Sequence, residues 1–505
     1  MPCRNLWSTT KVSIGIRSVA YLVGSWLLLL PVISTPLVAD DFLNPFSQTA
    51  DGGSTLVDAL RYGWKGGTQG ANFRVVGSPV GAVFNWLLLT LSAHLDVSIP
   101  ALYALAKFAV LLVCAGSLAA FWWVAAREFG SRLRFWDALV LVSLVLFAAL
   151  QIHGQWSNDP VASYPLAGYL SAAIGFAVLT SAILAVRHQS RRMFVCAAGV
   201  ALVAVLYYEI NVGAVLGGFS LLIYSSWKRW RQSQQISRGL CGAALFVALP
   251  AIALLYGRTA GGANPSSYAG TQMRLSSAPR AFAYGVLGSL PGSAWTLSRR
   301  IVGGHIRIVG MVFGLTFVLV VLVRWWFVTW HALETIDGLE ASSNLGDKIF
   351  VFVAVATYGL FAVAIQAVTI KVQDEMVGLG YVYTFYAVSS CAVALGLAVL
   401  CRFVLSRIRV LALQRTVAWG FMIFVVIQLT ISWDVSESMN QAFKANRRLI
   451  QTFDSSTPTE ERCGALAEWS TIPWPDYYKT GMTDGLQKAY IYYFGEAFCP
   501  AATAG

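Results

Sequence analysis

Charge is what this sequence has least of. Only 12% of its 505 residues are Asp, Glu, Lys or Arg, against 57% hydrophobic residues, whereas soluble domains carry about 25% charged residues. Mean hydropathy is +0.63. That deficit excludes an ordinary water-soluble domain. Alternation is missing too: the apolar runs are continuous over about 18–25 residues, the length of a membrane helix. A β-barrel, whose strands alternate between lipid and lumen, is therefore disfavoured. No internal repeat is visible, which counts against transporters built from repeated halves. Histidine is scarce. His94, His153, His188, His305 and His331 show no metal-ligand spacing, and no Walker, zinc or nucleotide fingerprint appears.

What remains is an all-α polytopic membrane protein of about eleven spans. The expected helices lie near 16–38, 100–126, 136–152, 163–186, 193–210, 212–227, 239–256, 305–325, 349–369, 382–402 and 416–433. The net charge of +12 would suggest nucleic acid or acidic lipid in a soluble protein. In a membrane protein its distribution matters more, and nucleic acid is not an expected partner. Tight basic clusters (Arg127/Arg132/Arg134, Arg187/Arg191/Arg192, Lys228/Arg229/Arg231, Arg402/Arg407/Arg409) occupy alternate connections. The positive-inside rule makes those cytoplasmic, with the N-terminus inside and the C-terminus outside. The first apolar stretch contains Pro31 and Pro36 and ends in Leu37-Val38-Ala39, a poor small-x-small cleavage site. It reads as an uncleaved helix rather than a signal peptide.

Cysteine usage gives a second signal for parity. Cys114, Cys196, Cys241, Cys391 and Cys401 lie in apolar spans and read as packing residues. Cys463 and Cys499 alone fall in the polar C-terminal segment, where an isolated pair suggests a disulfide in an oxidising compartment.

Residues 1–433 are thus expected to form a membrane domain, and 434–505 a small extracytoplasmic one. The first outer loop, 39–99, opens on the pair Asp40-Asp41. It continues through a short amphipathic helix carrying Leu56, Ala59, Leu60 and Trp64. Residues 79–95 are apolar but short, suiting an interfacial or re-entrant helix; if they span, the parity changes. A second long loop, 257–304, joins a Gly/Ser-rich stretch to Arg258, Arg274, Arg280, Arg299 and Arg300, followed by His305, and is a candidate lid.

On this topology Asp40, Asp41, Asp159, Glu209 and Asp374 share the outer face with Arg74, Arg258, Arg274, Arg280 and Lys371. A carboxylate can deprotonate an acceptor hydroxyl while Arg and Lys stabilise a departing phosphate. A phosphate at the membrane suggests a donor carried on a lipid, such as a polyprenyl-phosphate sugar, with exposed Trp and Tyr stacking on sugar rings. Each element also has a structural reading. The Asp pair can cap a helix, Asp159 before Pro160 can open a turn, and Glu209 can fix helix packing through a salt bridge. The arginines of 257–304 can contact lipid head groups.

The opening span, the acidic ADDFLNPF at 39–46 with the basic FRVVGSP at 73–79, and the second acidic loop QWSNDP at 155–160 resemble the GT-C glycosyltransferase superfamily. The tail motifs WPDYY and YIYYFGEAFC look like the small periplasmic region of some bacterial members. The resemblance implies transfer of a sugar from a polyprenyl-phosphate donor to a glycan or glycolipid acceptor, on the outer face of a bacterial cytoplasmic membrane. It further implies that Asp40 or Asp41 is the base, or holds a divalent cation such as Mg or Mn. Asp159 matches the second-loop acid by location only. No WWD-type signature is present, so transfer to protein sequons is unsupported. In an inverting reaction Arg74 with Arg258, Arg274 or Arg280 would neutralise the phosphate, and Asp159 and Glu209 would orient acceptor or sugar. Two alternatives stay open: an O-antigen ligase or polymerase using the Arg-rich 257–304 loop, and a flippase using interior charges such as Lys107, Glu209 or Arg307.

Overall fold

The computed structural model describes residues 5–69, 73–95, 97–128, 133–153, 159–233, 238–260, 272–294, 345–376, 378, 381–407 and 411–500. Within them the chain is helical, with a single isolated antiparallel bridge between Met273 and Thr369. The helices are α1 (Asn5–Ile33), α2 (Ala39–Gly52), α3 (Leu56–Gln69), α4 (Gly77–Leu95), α5 (Ile99–Glu128), α6 (Phe135–Ala149), α7 (Ser171–His188), α8 (Arg191–Tyr207) and α9 (Val212–Ser233). They continue as α10 (Arg238–Ala260), α11 (Ala278–Gly288), α12 (Leu345–Ala367), α13 (Ile370–Glu375), α14 (Tyr386–Arg407) and α15 (Leu411–Ala442). The tail adds α16 (Lys444–Gln451), α17 (Thr459–Ser470) and α18 (Asp476–Phe494).

Among the described residues, 7 helices are long and apolar enough to cross a bilayer, making this an all-α multi-pass membrane protein. They include Gly77–Leu95, the segment that sequence alone leaves between spanning and interfacial. Side chains such as Val113, Ile252, Leu255 and Phe352 face outward, as a lipid-contacting surface requires. The expected span at 305–325, the Gly/Ser-rich stretch, Arg299, Arg300, His305 and Arg307 lie outside the described residues, as does the Arg258 side chain.

Membrane helices gain little from excluding water from one another, so close backbone approach and hydrogen bonds hold them together. Gly217 of α9 lies where an added Cβ would sit 2.6 Å from the Ala354 carbonyl oxygen of α12. Between α8 and α9 the helix breaks at Tyr208, and Glu209–Asn211 form one 3-10 turn. Broken backbone at membrane depth must be satisfied inside the protein. Buried Asn211 does this: its amide donates to the Ala204 carbonyl at 2.9 Å and to Ser171 at 3.0 Å, and it accepts from the Tyr358 hydroxyl at 2.7 Å.

A second core joins the segment after α1 to the tail. Phe42 and Phe46 of α2 pack with Leu449, Phe453, Trp469, Leu486 and Tyr490. Helix α15 runs without a break through the expected boundary at 433/434. Cys463 and Cys499 are joined by a disulfide across a sequence separation of 36. Buried Arg462 pairs with Glu496 at 2.8 Å and lies over the Tyr490 ring. The tail therefore docks through a shared apolar core rather than through a linker.

That docking depends on Gly485. A Cβ there would lie 2.4 Å from the Phe46 carbonyl carbon and oxygen. The substitution G485V should separate α18 from α2 and expose the segment after 443 to trypsin, while G464V, at a position with open space, should leave the digestion pattern unchanged.

Candidate functional site

The chain leaves α1 through Ser34–Val38 and turns sharply at Ala39, whose φ of 51° lies in the left-handed region that favours glycine. Such a conformation in a Cβ-bearing residue costs about 1 kcal/mol or more and persists only where surroundings enforce it. Here the tail enforces it: the Tyr478 hydroxyl donates to the Ala39 carbonyl at 2.7 Å. The corner aims Asp40 and Asp41 into the first turn of α2, where the helix dipole favours negative charge.

The two acids have different surroundings. Asp40 is exposed, and its charge acts on the Tyr164 phenol. Asp41 is half-buried; its Oδ2 accepts from the Tyr103 hydroxyl and, at 2.7 Å, from the Tyr164 backbone amide. Tyr164 is the second non-glycine residue with positive φ, at 55°, so two strained backbone positions meet at this carboxylate. Burial pushes Asp41 up to about 6 from its ordinary 3.8, against the downward pull of the Tyr103 and Tyr164 hydrogen bonds and of Lys107, with the Asp40 charge adding to the rise.

Behind the acids sits Lys107 of α5, fully buried. Its Nζ donates to Thr35 Oγ1 at 2.5 Å and to the Ala162 carbonyl at 2.8 Å, and lies 4.6 Å from the Tyr103 ring centroid. Its charge acts on both Asp41 and Asp159. A buried ammonium is tolerable only when paired and hydrogen-bonded, and this one ties the α1–α2 link, α5 and the 159–164 loop together.

The remaining acids and bases are held elsewhere. Asp159 is fully buried and organises its own loop: it accepts from the His153 amide at 2.5 Å, His153 Nδ1 at 2.9 Å and the Val161 amide at 2.7 Å. This is the turn-forming role, extended into the core. Arg74 and Glu209 face each other in a two-pronged ion pair at 2.8 and 2.5 Å, with the guanidinium 4.0 Å from the Tyr208 ring centroid. Arg274 donates to Gln373 at 2.7 Å and Asp374 at 2.5 Å. Arg280 lies over Tyr284 of its own helix. Lys371 stands 5.8 Å from the Tyr383 ring centroid, and Tyr383 in turn acts electrostatically on Tyr164. The structure does not bring Arg74, Arg274 and Arg280 together around one point with the Asp pair.

Sequence reasoning placed Lys107 only among interior charges and missed Tyr103 and Tyr164. One signal was available for the first two: Tyr103 and Lys107 are four apart on a helix otherwise apolar, hence on one face. Nothing local marks Tyr164. Among the described residues no group of three or more His, Cys, Asp or Glu could hold a metal ion. A carboxylate whose Oδ2 is engaged by a phenol and an amide, beside one other acid, does not fit a resident divalent-cation site.

Comparison with known proteins finds no matching family model, no matching curated protein and no matching solved structure.

The raised Asp41 value has a thermodynamic consequence with a definite sign. The folded protein holds this proton more tightly than the unfolded chain, so the contribution of Asp41 to stability is fully present below pH 3.8 and is lost as pH rises through about 6. D41N should remove that contribution. Thermal unfolding in nanodiscs across this window should show a pH-dependent loss in the parent protein that is absent from D41N; parallel profiles would contradict the assignment.

Proposed function

We propose that this protein is a membrane glycosyltransferase of the GT-C type. It moves a sugar from a polyprenyl-phosphate donor to an envelope-glycan or lipid-linked acceptor at the outer face of a bacterial cytoplasmic membrane. In this reading the fold has about eleven spans, Gly77–Leu95 is an interfacial or re-entrant helix rather than a span, and the first outer loop and the tail lie outside. The observation that carries it is the environment of Asp41: a carboxylate at a helix N-terminus, at the rim of an apolar bundle, lifted to about 6. A base poised near working pH is what proton abstraction from a sugar hydroxyl requires.

Asp41 takes the proton of the acceptor hydroxyl. The hydroxyl oxygen then bonds to the anomeric carbon as the bond from that carbon to the lipid phosphate oxygen breaks, and the phosphate leaves with the electron pair. Attack from the opposite face inverts the anomeric centre. Asp40, exposed beside it, orients the acceptor. Arg74 and Arg274 already face carboxylates and Lys371 acts on Glu375, so the departing phosphate draws one of these cations away from its carboxylate. Basic side chains alone serve this role.

Radiolabel transfer from a polyprenyl-phosphate sugar to an acceptor tests the reading. D41N should lower the rate by about 10²–10⁴-fold, the scale of a lost general base, with D40N milder and both variants expressed at parental levels. Full activity in the D40N/D41N double variant would sink the mechanism. The parental rate should fall as pH drops through about 6. K107M, which removes the cation that holds Asp41 down, should move this acid limb to higher pH.

A further inference from the structure

A cavity of about 360 Å³ opens where the end of α1, the start of α5 and helix α16 of the tail meet. That volume lies at the lower end of the about 300–1,000 Å³ typical of small-ligand sites. The walls divide by chemistry. Ile33, Leu37, Ala101, Ala104 and Ile450 form an apolar side, whereas Ser98, Arg447 and Gln451 supply polar groups. Arg447 is the sole charged residue of the lining, and no carboxylate accompanies it.

Helix α16 is built to present this cation. Its buried Leu449 and Ile450 anchor it to the second core, while Arg447 and Gln451, four apart, share one face. The adjacent Arg448 points elsewhere and pairs with Glu468. Among the described residues the side chains of Arg447, Gln451 and Ser98 have no protein partner. The other polar lining groups are spent internally: Asn440 donates to the Ser34 and Ser436 carbonyls, and Thr35 accepts from Lys107. The first turn of α5 also lines the space, contributing the positive end of a 30-residue helix.

We propose that this cavity binds a phosphate-type anion, either carried on an apolar chain as a lipid headgroup or free in solution. Uncompensated positive charge with free amide and hydroxyl groups selects the anion, and the apolar wall accommodates the first carbons of a chain. The site lies across the α1–α2 link from Asp41 and is independent of the sugar-transfer reading, because its test measures binding rather than transfer.

The full-length protein is placed in phosphatidylcholine nanodiscs with and without added phosphatidylglycerol, and lipid retained on release is read by native mass spectrometry. In parallel, inorganic phosphate is titrated into protein in neutral detergent. R447Q should weaken binding about tenfold or more, the scale of a charge-assisted hydrogen bond, Q451A should weaken it less, and R448Q should leave it unchanged. Loss of phosphatidylglycerol retention alone assigns a lipid headgroup, whereas loss of saturable phosphate binding assigns a free anion. Equal weakening in R447Q and R448Q would mean diffuse surface charge and would overturn the proposal, as would failure of the parent protein to bind either probe. Unfolding temperatures of the three variants check that each is folded, and Q451A carries the test should R447Q not fold.

Discussion

A buried ammonium constrains the junction of α1, α2 and α5. Lys107 sits inside an apolar helix, where an unpaired charge costs several kcal/mol, and the surrounding chain is arranged to meet its hydrogen-bonding demand. Thr35 at the end of α1 and the Ala162 carbonyl take two of its donors, and two acids lie within its field. Satisfying that single group fixes the path of the α1–α2 link and of the 159–164 loop. The acid pair stands where those two segments meet.

The consequences spread along covalent neighbours. Past Thr35 the link turns at Ala39 to start α2. Because the loop passes Ala162, Tyr164 adopts positive φ and its amide reaches Asp41. Asp159 holds the same loop from the other side by accepting three hydrogen bonds. The tail then closes over the corner: Tyr478 bonds the Ala39 carbonyl, and α18 packs on α2 at Gly485. The disulfide-bonded tail supplies most of this second core and gains stability by sharing it with the segment after α1, and that segment gains rigidity in return. Both the acid site and the cavity beside Arg447 are products of this junction.

Hydrophobic run length made the helical membrane class legible in the sequence, because a bilayer demands about 20 apolar residues per crossing irrespective of packing. Of the expected spans within the described residues, those at 100–126, 163–186, 212–227, 239–256, 349–369 and 416–433 fall on helices long and apolar enough to cross a bilayer, those at 16–38, 136–152 and 382–402 fall on shorter apolar helices, and that at 193–210 falls on α8. The Asp pair was legible as a costly feature, and Glu209 as an acid needing a partner. That the partner is Arg74 was not legible, since they stand 135 positions apart. Nor was the split between an exposed Asp40 and a half-buried Asp41, because two adjacent residues of one type look alike until their neighbours are known.

The sequence by itself determined that the chain is a helical membrane protein and which residues carry charge, since both follow from local composition and from solvation of single residues. Only the tertiary structure decided which charges are consumed by one another and which stay available. Arg74 and Arg274 turned out to face carboxylates, Asp159 to bind its own loop, and Lys107 to stand behind the acid pair. Pairing is set by where helices cross, and crossings depend on contacts such as Gly217 on Ala354 that leave no periodic trace in the chain.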